Sequence, residues 1–322
     1  MAQKANGLQK MVARPVPGEI LEASRVTVEK HGGNIAAAAK ALGISRSTLQ
    51  HRLEIVRLRA VARPPILIDH PGRLDLAVDN GVILVGSDAH IWEPEPSPAM
   101  RAFLWAIDHF KDRLAAIVLN GDVIDGASIG RWPSIGWEQK PTLMQELQAA
   151  QKQLSAITAI GRARCIWTLG NHDSRFESKV ANAIPEYQGI EGVHLHDHFP
   201  NWERCWSLWV NDSLVIKHRA AGGTHAAYNN TKSAGKSIAT GHLHSLKITP
   251  YSDYNGTRWG VDTGMLATPY APQFVHYTEA RSVDWRPGFA VFSFVDRELM
   301  WPELVHVYGP REAMFRGGIV RF

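Results

Sequence analysis

Long apolar runs and cysteines are what this chain has least of. No stretch of its 322 residues approaches the roughly 18 consecutive apolar residues a membrane span needs, so no membrane association is expected. The opening Met-Ala-Gln-Lys-Ala-Asn-Gly lacks the apolar core of a secretion signal, which points to a cytoplasmic setting. Cys165 and Cys205 sit inside apolar, strand-like runs without zinc-finger spacing. They read as reduced core residues, not as a disulfide or a thiolate metal site. A nucleotide-binding P-loop is also missing: Ser233-Ala234-Gly235-Lys236-Ser237 imitates its end, but the earlier glycine it requires is Asn230. Serine nucleophiles such as Ser87 or Ser174 are not needed if a metal-held water does the chemistry.

A net positive charge is absent from most of the chain. Residues 1–63 carry eleven Lys/Arg against four Asp/Glu, a net +7, whereas the whole chain is +4, so the remainder is −3. The basic excess belongs to the front, where a polyanion would bind.

That front reads as three short helices. Glu19–Lys30 forms the first, with Ile20, Ala23 and Val26–Thr27 on one side, and stops at His31-Gly32-Gly33. Asn34 caps a second, Ile35–Leu42, which Gly43 ends in a left-handed conformation. Ser45 caps a third, from Arg46 to about Arg59, with Leu49, Leu53 and Val56 as a buried stripe. Arg46, Ser47, Gln50 and Arg57 are left facing outward. The run from Gly33 to Leu53 resembles the Fis-type helix-turn-helix family. That resemblance implies DNA contact by the third helix in the major groove and dimeric binding, since so small a domain buries little by itself. Self-association of a small helical bundle is the alternative. Pro64, Pro65, Pro71 and Gly72 make 64–80 a linker or an edge strand, and 81–322 the second domain.

From Gly81 on, strands alternate with helices, the pattern of an α/β body. Strands are expected at Val82–Val85, Leu114–Leu119, Cys165–Leu169, Leu214–Lys217, Ile238–Thr240, Phe289–Val295 and Leu304–Tyr308. Helices are expected from Pro98 to about Asp112 behind a Ser97 cap, and over Thr142–Ile160 with Leu143, Leu147, Ala150 and Leu154 inward. The first five strands each end in Asp, Asn or His: Ser87-Asp88-Ala89-His90, Gly121-Asp122-Val123-Ile124-Asp125, Gly170-Asn171-His172-Asp173, Lys217-His218 and Gly241-His242-Leu243-His244. Carboxyl ends of strands are where open α/β sheets place their sites. Carboxylate, imidazole and amide donors without thiolate suit Mn, Fe or Zn. Two such ions would polarise a phosphoryl group and hold a hydroxide for in-line attack.

Asp-x-His, Gly-Asp-x-x-Asp, Gly-Asn-His-Asp, a strand-end His and Gly-His-x-His, in that order, resemble the calcineurin-like metallophosphoesterase superfamily over about Gly81 to Tyr308. The resemblance implies two sheets packed face to face between helices, and two divalent ions, manganese first and iron or zinc as alternatives. It implies that Asp88, His90 and His244 hold the first ion, that Asp122 bridges, and that Asn171, His218 and His242 complete the second. His172 would protonate the leaving oxygen or steady the phosphate, with Asp125 orienting its ring. The family usually places Gly after the strand-end His, where this chain has Arg219, so His225 is the fallback for His218.

The Ser-Asp-x-His opening is similar to the nuclease branch involved in recombination and repair, and the layout resembles metallophosphoesterases of phage and prophage genomes. Cytoplasmic then means the host's cytoplasm. Together with the helix-turn-helix this implies a DNA nuclease or phosphodiesterase. A phosphatase or cyclic-nucleotide phosphodiesterase is the alternative, although protein phosphatases carry Arg after Gly-Asp-x-x-Asp where this chain has Gly126-Ala127. A DNA-binding regulator is the alternative outside enzymes. Arg175 and Arg131 are candidates for substrate phosphate, and Trp132 and Trp137 for stacking on bases. His194, His196 and His198 alternate in sequence, which would suit a further metal site, but an exposed edge strand is the favoured reading.

Overall fold

A computed structural model of the protein describes residues 16–61, 72–130, 137–279 and 281–322. The chain divides into two compact units, Met1–His70 and Pro71–Phe322. Among the described residues no helix is long and apolar enough to cross a membrane.

The first unit holds α1 (Gly18–Lys30), α2 (Ile35–Ala41) and α3 (Arg46–Val61). The Asn34 side chain accepts from Ala36 N and Ala37 N, and Ser45 Oγ accepts from Thr48 N at 3.0 Å, so both expected caps form. Gly43, at φ +65°, lets the chain turn between α2 and α3. Ala38, Ala39 and Leu49 form the buried centre, with Val28, Ile35, Leu42, Ile44 and Leu53 against it. One expectation fails here. The face α1 buries is Leu21 and Ser24 with Val28 alongside, whereas Ile20 and Ala23 are exposed. Val28 packs against the cluster that α2 and α3 share, on the same side as Leu21 and Ser24.

The second unit runs β1 (Arg73–Leu76), β2 (Gly81–Gly86), α4 (Pro98–Phe110), β3 (Leu114–Leu119), α5 (Leu143–Ile160), β4 (Arg164–Thr168), α6 (Asp173–Ala183), α7 (Leu195–His198), β5 (Glu203–Cys205), β6 (Ser207–Val210), β7 (Leu214–Ile216), α8 (Ala226–Ala234), β8 (Ser237–Thr240), β9 (Leu246–Asp253), β10 (Gly256–Thr263), α9 (Pro272–Thr278), β11 (Gly288–Val295), β12 (Glu298–Leu299), β13 (Glu303–Gly309), β14 (Glu312–Phe315) and β15 (Gly318–Arg321). One sheet has the order β1-β6-β7-β8-β10-β9, the other β15-β14-β13-β11-β2-β3-β4-β5 with β12 on β11. Arg73–Leu76, inside the stretch expected as linker or edge strand, pairs parallel with β6 at a sheet edge.

Strands β2, β3 and β4 read as continuous apolar runs because both faces are covered. Val82, Leu84, Ile117, Leu119 and Trp167 face the core shared with α4 and α5. Ile83, Val85, Ala116, Val118 and Ile166 face the second sheet, meeting Leu208, Val210, Leu214 and Ile216. The two sheets thus pack against each other, with helices outside.

His194, His196 and His198 do not lie on a strand. Leu195–His198 is a short helical turn in which Asp197 Oδ2 accepts from Gly192 N and His194 N. Those local bonds replace the ladder an edge strand would need.

Candidate metal centre

Five of the seven candidate donors occupy left-handed backbone: Asp88 at φ 53°, His90 at 39°, Asp122 at 50°, His242 at 71° and His244 at 58°. Such conformations cost non-glycine residues energy and persist only where surrounding structure holds them. Here the loops after β2, β3, β7 and β8 brace one another. Asp88 N donates to Gly121 O at 2.9 Å, His90 N to Asp122 O at 2.9 Å, and Gly241 N to His218 O at 2.9 Å. Asp88 itself accepts from His242 N at 2.9 Å, and Asp122 Oδ1 from His172 N at 2.8 Å. The motif glycines make room. A Cβ on Gly170 would lie 2.1 Å from Asp122 Oδ1, and one on Gly121 would lie 2.4 Å from the His218 ring.

Asp88, His90 and His244 form one donor group, and Asp122, His218 and His242 a second. His90 Nε2 is 3.3 Å from His244 Nε2, and His244 Nε2 is 3.2 Å from Asp88 Oδ1. His218 Nε2 stands 3.1 Å from Asp122 Oδ2. Ring orientation decides what these atoms can do. His90 Nδ1 faces Asp125 Oδ1 at 2.9 Å and His218 Nδ1 faces Asn120 O at 2.7 Å, so in each ring Nδ1 is the bonded donor and Nε2 is the atom turned toward the other donors, open to an ion once any proton there is displaced. His218 Nε2 and Asn171 Oδ1 are buried without a hydrogen-bond partner. Buried acceptors left unpaired are costly unless a cation takes them, so the residues present fit divalent metal ions. His218, the least conforming of the sequence candidates, is buried in the cluster, while His225 stands exposed before α8.

Charges in the cluster are strongly coupled. Burial opposes ionisation of Asp88 and Asp122, yet the surrounding imidazoles hold both carboxyls below their usual range. Burial also opposes the His218 cation, but Asp88 and Asp122 outweigh it and lift its pKa to about 9. His90 is depressed, chiefly by burial.

His172 lies beside the donors, with Nε2 3.9 Å from Asp122 Oδ2. Its Nδ1 donates to the backbone oxygen of Asp125 at 2.8 Å and lies 3.2 Å from Asp125 Oδ1. Asp125 therefore touches both His90 and His172, and holds His172 mainly through its main chain. Arg175 lies against Asp125 and His172. It donates to Asp125 O at 2.9 Å and to His172 Nε2 at 2.9 Å, which places it at the centre's rim. Arg131 and Trp132 fall outside the described residues, and Trp137 is fully exposed.

Two carboxylates that matter were given no role from sequence. Asp173 is buried and accepts from Asp122 N, Val123 N, Gly170 N and Trp167 Nε1 at 2.8–2.9 Å, tying the second and third motif loops together. Glu146, fully buried on α5, accepts from Gly126 N at 2.6 Å and Ala127 N at 3.0 Å and so fixes the loop that carries Asp125. Its signal was available: position 146 falls on the inner stripe between Leu143 and Ala150, where a charge is out of place.

Burial pushes the Glu146 pKa from 4.5 up to about 7, against the pull of the Gly126 N–H and with help from the Asp125 charge. A raised folded-state pKa means stability that is fully present below about pH 4.5 and is lost as pH rises through about 7. Glu146→Gln removes that titration, so the variant should gain on wild type by up to about 3 kcal/mol between those limits. Thermal melts across the window test this, and parallel curves would contradict it.

Residues 81–261 match the family model of the calcineurin-like phosphoesterases, more than half of the chain. The chain belongs to the calcineurin-like phosphoesterase family. Residues 26–54 of this phosphoesterase match the Fis family of bacterial regulatory proteins. Among solved structures it is similar to Vps29 complexed with zinc from Entamoeba histolytica, at 13% identity and TM-score 0.37, covering 74% of this chain and 96% of that one. It is also similar to the nuclease MPE of Pseudomonas putida, at 14% identity and TM-score 0.27, covering 68% and 86%. A protein serine/threonine phosphatase from Saccharomyces cerevisiae matches at 12% identity and TM-score 0.36, covering 74% and 85%. No curated protein matches the chain. Family membership and the donor geometry together make this a metal-dependent phosphoesterase.

Proposed function

We propose that this phosphoesterase hydrolyses phosphodiester bonds in DNA, as a nuclease or DNA phosphodiesterase, and that its helix-turn-helix brings it to the substrate. The observation that carries the reading is the union, in one chain, of a complete two-ion donor set with a Fis-type module. In that module Arg46, Ser47 and Gln50 lie exposed at the start of α3, where they can meet base edges and phosphates. Arg57, also expected to contact DNA, lies in α3, but its side chain is outside the described residues. The module binds as a dimer, each copy placing one α3 in the major groove.

In this reading Asp88, His90 and His244 would hold one divalent ion and Asn171, His218 and His242 the other, with Asp122 serving both; manganese is the ion we expect. Two such ions supply the positive charge that polarises the phosphoryl group and acidifies the attacking water. The chain's own residues do the rest. Asp125 and Asn120 fix the His90 and His218 rings, and Asp173 fixes the Asp122 loop. His172 gives a proton from Nε2 to the leaving oxygen. With Arg175 donating to Nε2, that nitrogen is an acceptor. An incoming phosphate offers Arg175 a stronger, charged acceptor, which frees Nε2 to take up the proton it will deliver.

The test is a substrate panel with Mn²⁺: bis-nitrophenyl phosphate, nitrophenyl phosphate, cyclic nucleotides, and single- and double-stranded DNA. Diester and DNA cleavage is expected. Cleavage of monoesters alone would overturn the reading in favour of a phosphatase, and no turnover would favour a DNA-binding regulator. Arg46→Ala should weaken DNA binding by about tenfold, as loss of a base or phosphate contact does, while leaving bis-nitrophenyl phosphate hydrolysis intact. Equal loss of both would contradict a separate targeting module.

A further inference from the structure

Beside the metal centre, with His90 in its wall, lies a cavity that the reaction scheme does not use. It has a volume of about 220 Å³ and is lined by His90, Ile91, Trp92, Met100, Gln153, Leu266 and Gln273 among others. Pockets for drug-sized ligands run to roughly 300–1,000 Å³, so this one suits a single ring system. Its floor is apolar: Ile91, Met100 and Leu266 are buried.

Two amides are set into the wall. Gln153 Nε2 donates to Glu93 O at 2.9 Å, and Gln273 Nε2 donates to His90 O at 3.2 Å. An amide nitrogen must face each carbonyl, which fixes both side chains, and each keeps a second N–H and its Oε1 for another partner. A donor beside an acceptor is the complement of a base edge, and glutamine meets adenine in this way. Trp92 is half-buried, with indole surface left for stacking. The charged residues lining the cavity are Glu93 and Glu95, with no lysine or arginine among those described. Phosphate is therefore unwelcome there, and a neutral, flat, polar ring is the fitting occupant.

We propose that this cavity holds the nucleobase next to the scissile phosphate, stacked on Trp92 with its edge against Gln153 and Gln273. The inference rests on the reading of the enzyme as a DNA phosphodiesterase and adds a subsite to it.

Calorimetric binding to the Mn²⁺-loaded protein tests the subsite without turnover. The ligands are inorganic phosphate, deoxyribose 5-phosphate, phenyl phosphate and the four deoxynucleoside monophosphates. The nucleotides should bind about tenfold more tightly than deoxyribose 5-phosphate, the effect of one base stack. Trp92→Ala should erase that difference and leave inorganic phosphate binding unchanged. Gln153→Leu should weaken the nucleotides but not phenyl phosphate. The proposal is overturned if nucleotides bind no better than deoxyribose 5-phosphate, or if phenyl phosphate equals them in wild type, which would indicate a plain aromatic ring such as a phosphotyrosyl group. Dinucleotide cleavage is assayed in parallel. Base-dependent binding without cleavage would remove the phosphodiesterase reading and leave the cavity assignment standing.

Discussion

Asp122→Asn should lower diester hydrolysis by about a thousandfold or more while the protein stays folded. Asp122 is buried and serves several partners at once: Oδ1 accepts from His172 N, and Oδ2 faces His218 Nε2 at 3.1 Å. Asparagine has almost the same shape and can still accept from His172 N, so the loop geometry survives. What disappears is the negative charge between the two donor groups. Losing one cation's stabilisation of the transition state amounts to several kcal/mol, and each 1.4 kcal/mol is tenfold in rate. Activity should therefore collapse with little change in melting temperature, and metal content should fall. Retention of more than about a tenth of wild-type activity would show that Asp122 does not join the two ions.

His172→Ala should lower kcat by roughly 10²- to 10⁴-fold, the range for removal of a general acid, and leave metal content unchanged. The ring is placed for the task by Asp125, whose main-chain oxygen takes the Nδ1 proton at 2.8 Å. Burial alone would depress its pKa, but the hydrogen bond and charge of Asp125 and the charge of Asp122 outweigh it and raise it. The size of the loss should depend on the leaving group. A nitrophenolate departs without a proton, whereas a deoxyribose alkoxide needs one, so DNA cleavage should suffer much more than bis-nitrophenyl phosphate hydrolysis. Equal losses on both substrates would assign His172 to holding the phosphate.

The clustering of the candidate donors was legible in the sequence because each motif ends an apolar strand, and strand ends converge wherever the strands pair. Asp122 and His218 belong to separate runs on different sheets, yet face-to-face packing brings Oδ2 and Nε2 to 3.1 Å. The left-handed backbone at Asp88, His90, Asp122, His242 and His244 was not legible, since none of these is glycine; only the mutual bracing of four loops imposes it. Asp173 and Glu146 were missed for a related reason. The loops they hold are reached through main-chain N–H groups about 20 to 50 residues away, those of Gly126 and Ala127 for Glu146 and of Asp122 and Val123 for Asp173, and a main-chain donor carries no residue-type signal. The α1 face was misread because Ile20 and Leu21 are equally apolar, and the choice between them is made by packing against α2 and α3, on the side where Val28 meets their shared cluster. The histidines of 194–198 alternate as a strand would, but Asp197 caps them into a turn.

The central claim is that the seven donors form one two-ion centre on which phosphodiester hydrolysis depends. The most direct measurement titrates Mn²⁺ into metal-free protein while bound metal and bis-nitrophenyl phosphate hydrolysis are followed together. The predicted result is about two ions per chain, with activity appearing only as the centre fills and both signals reduced in Asp122→Asn. Full hydrolysis by protein shown to be metal-free, or saturation at one ion with full activity, would contradict it.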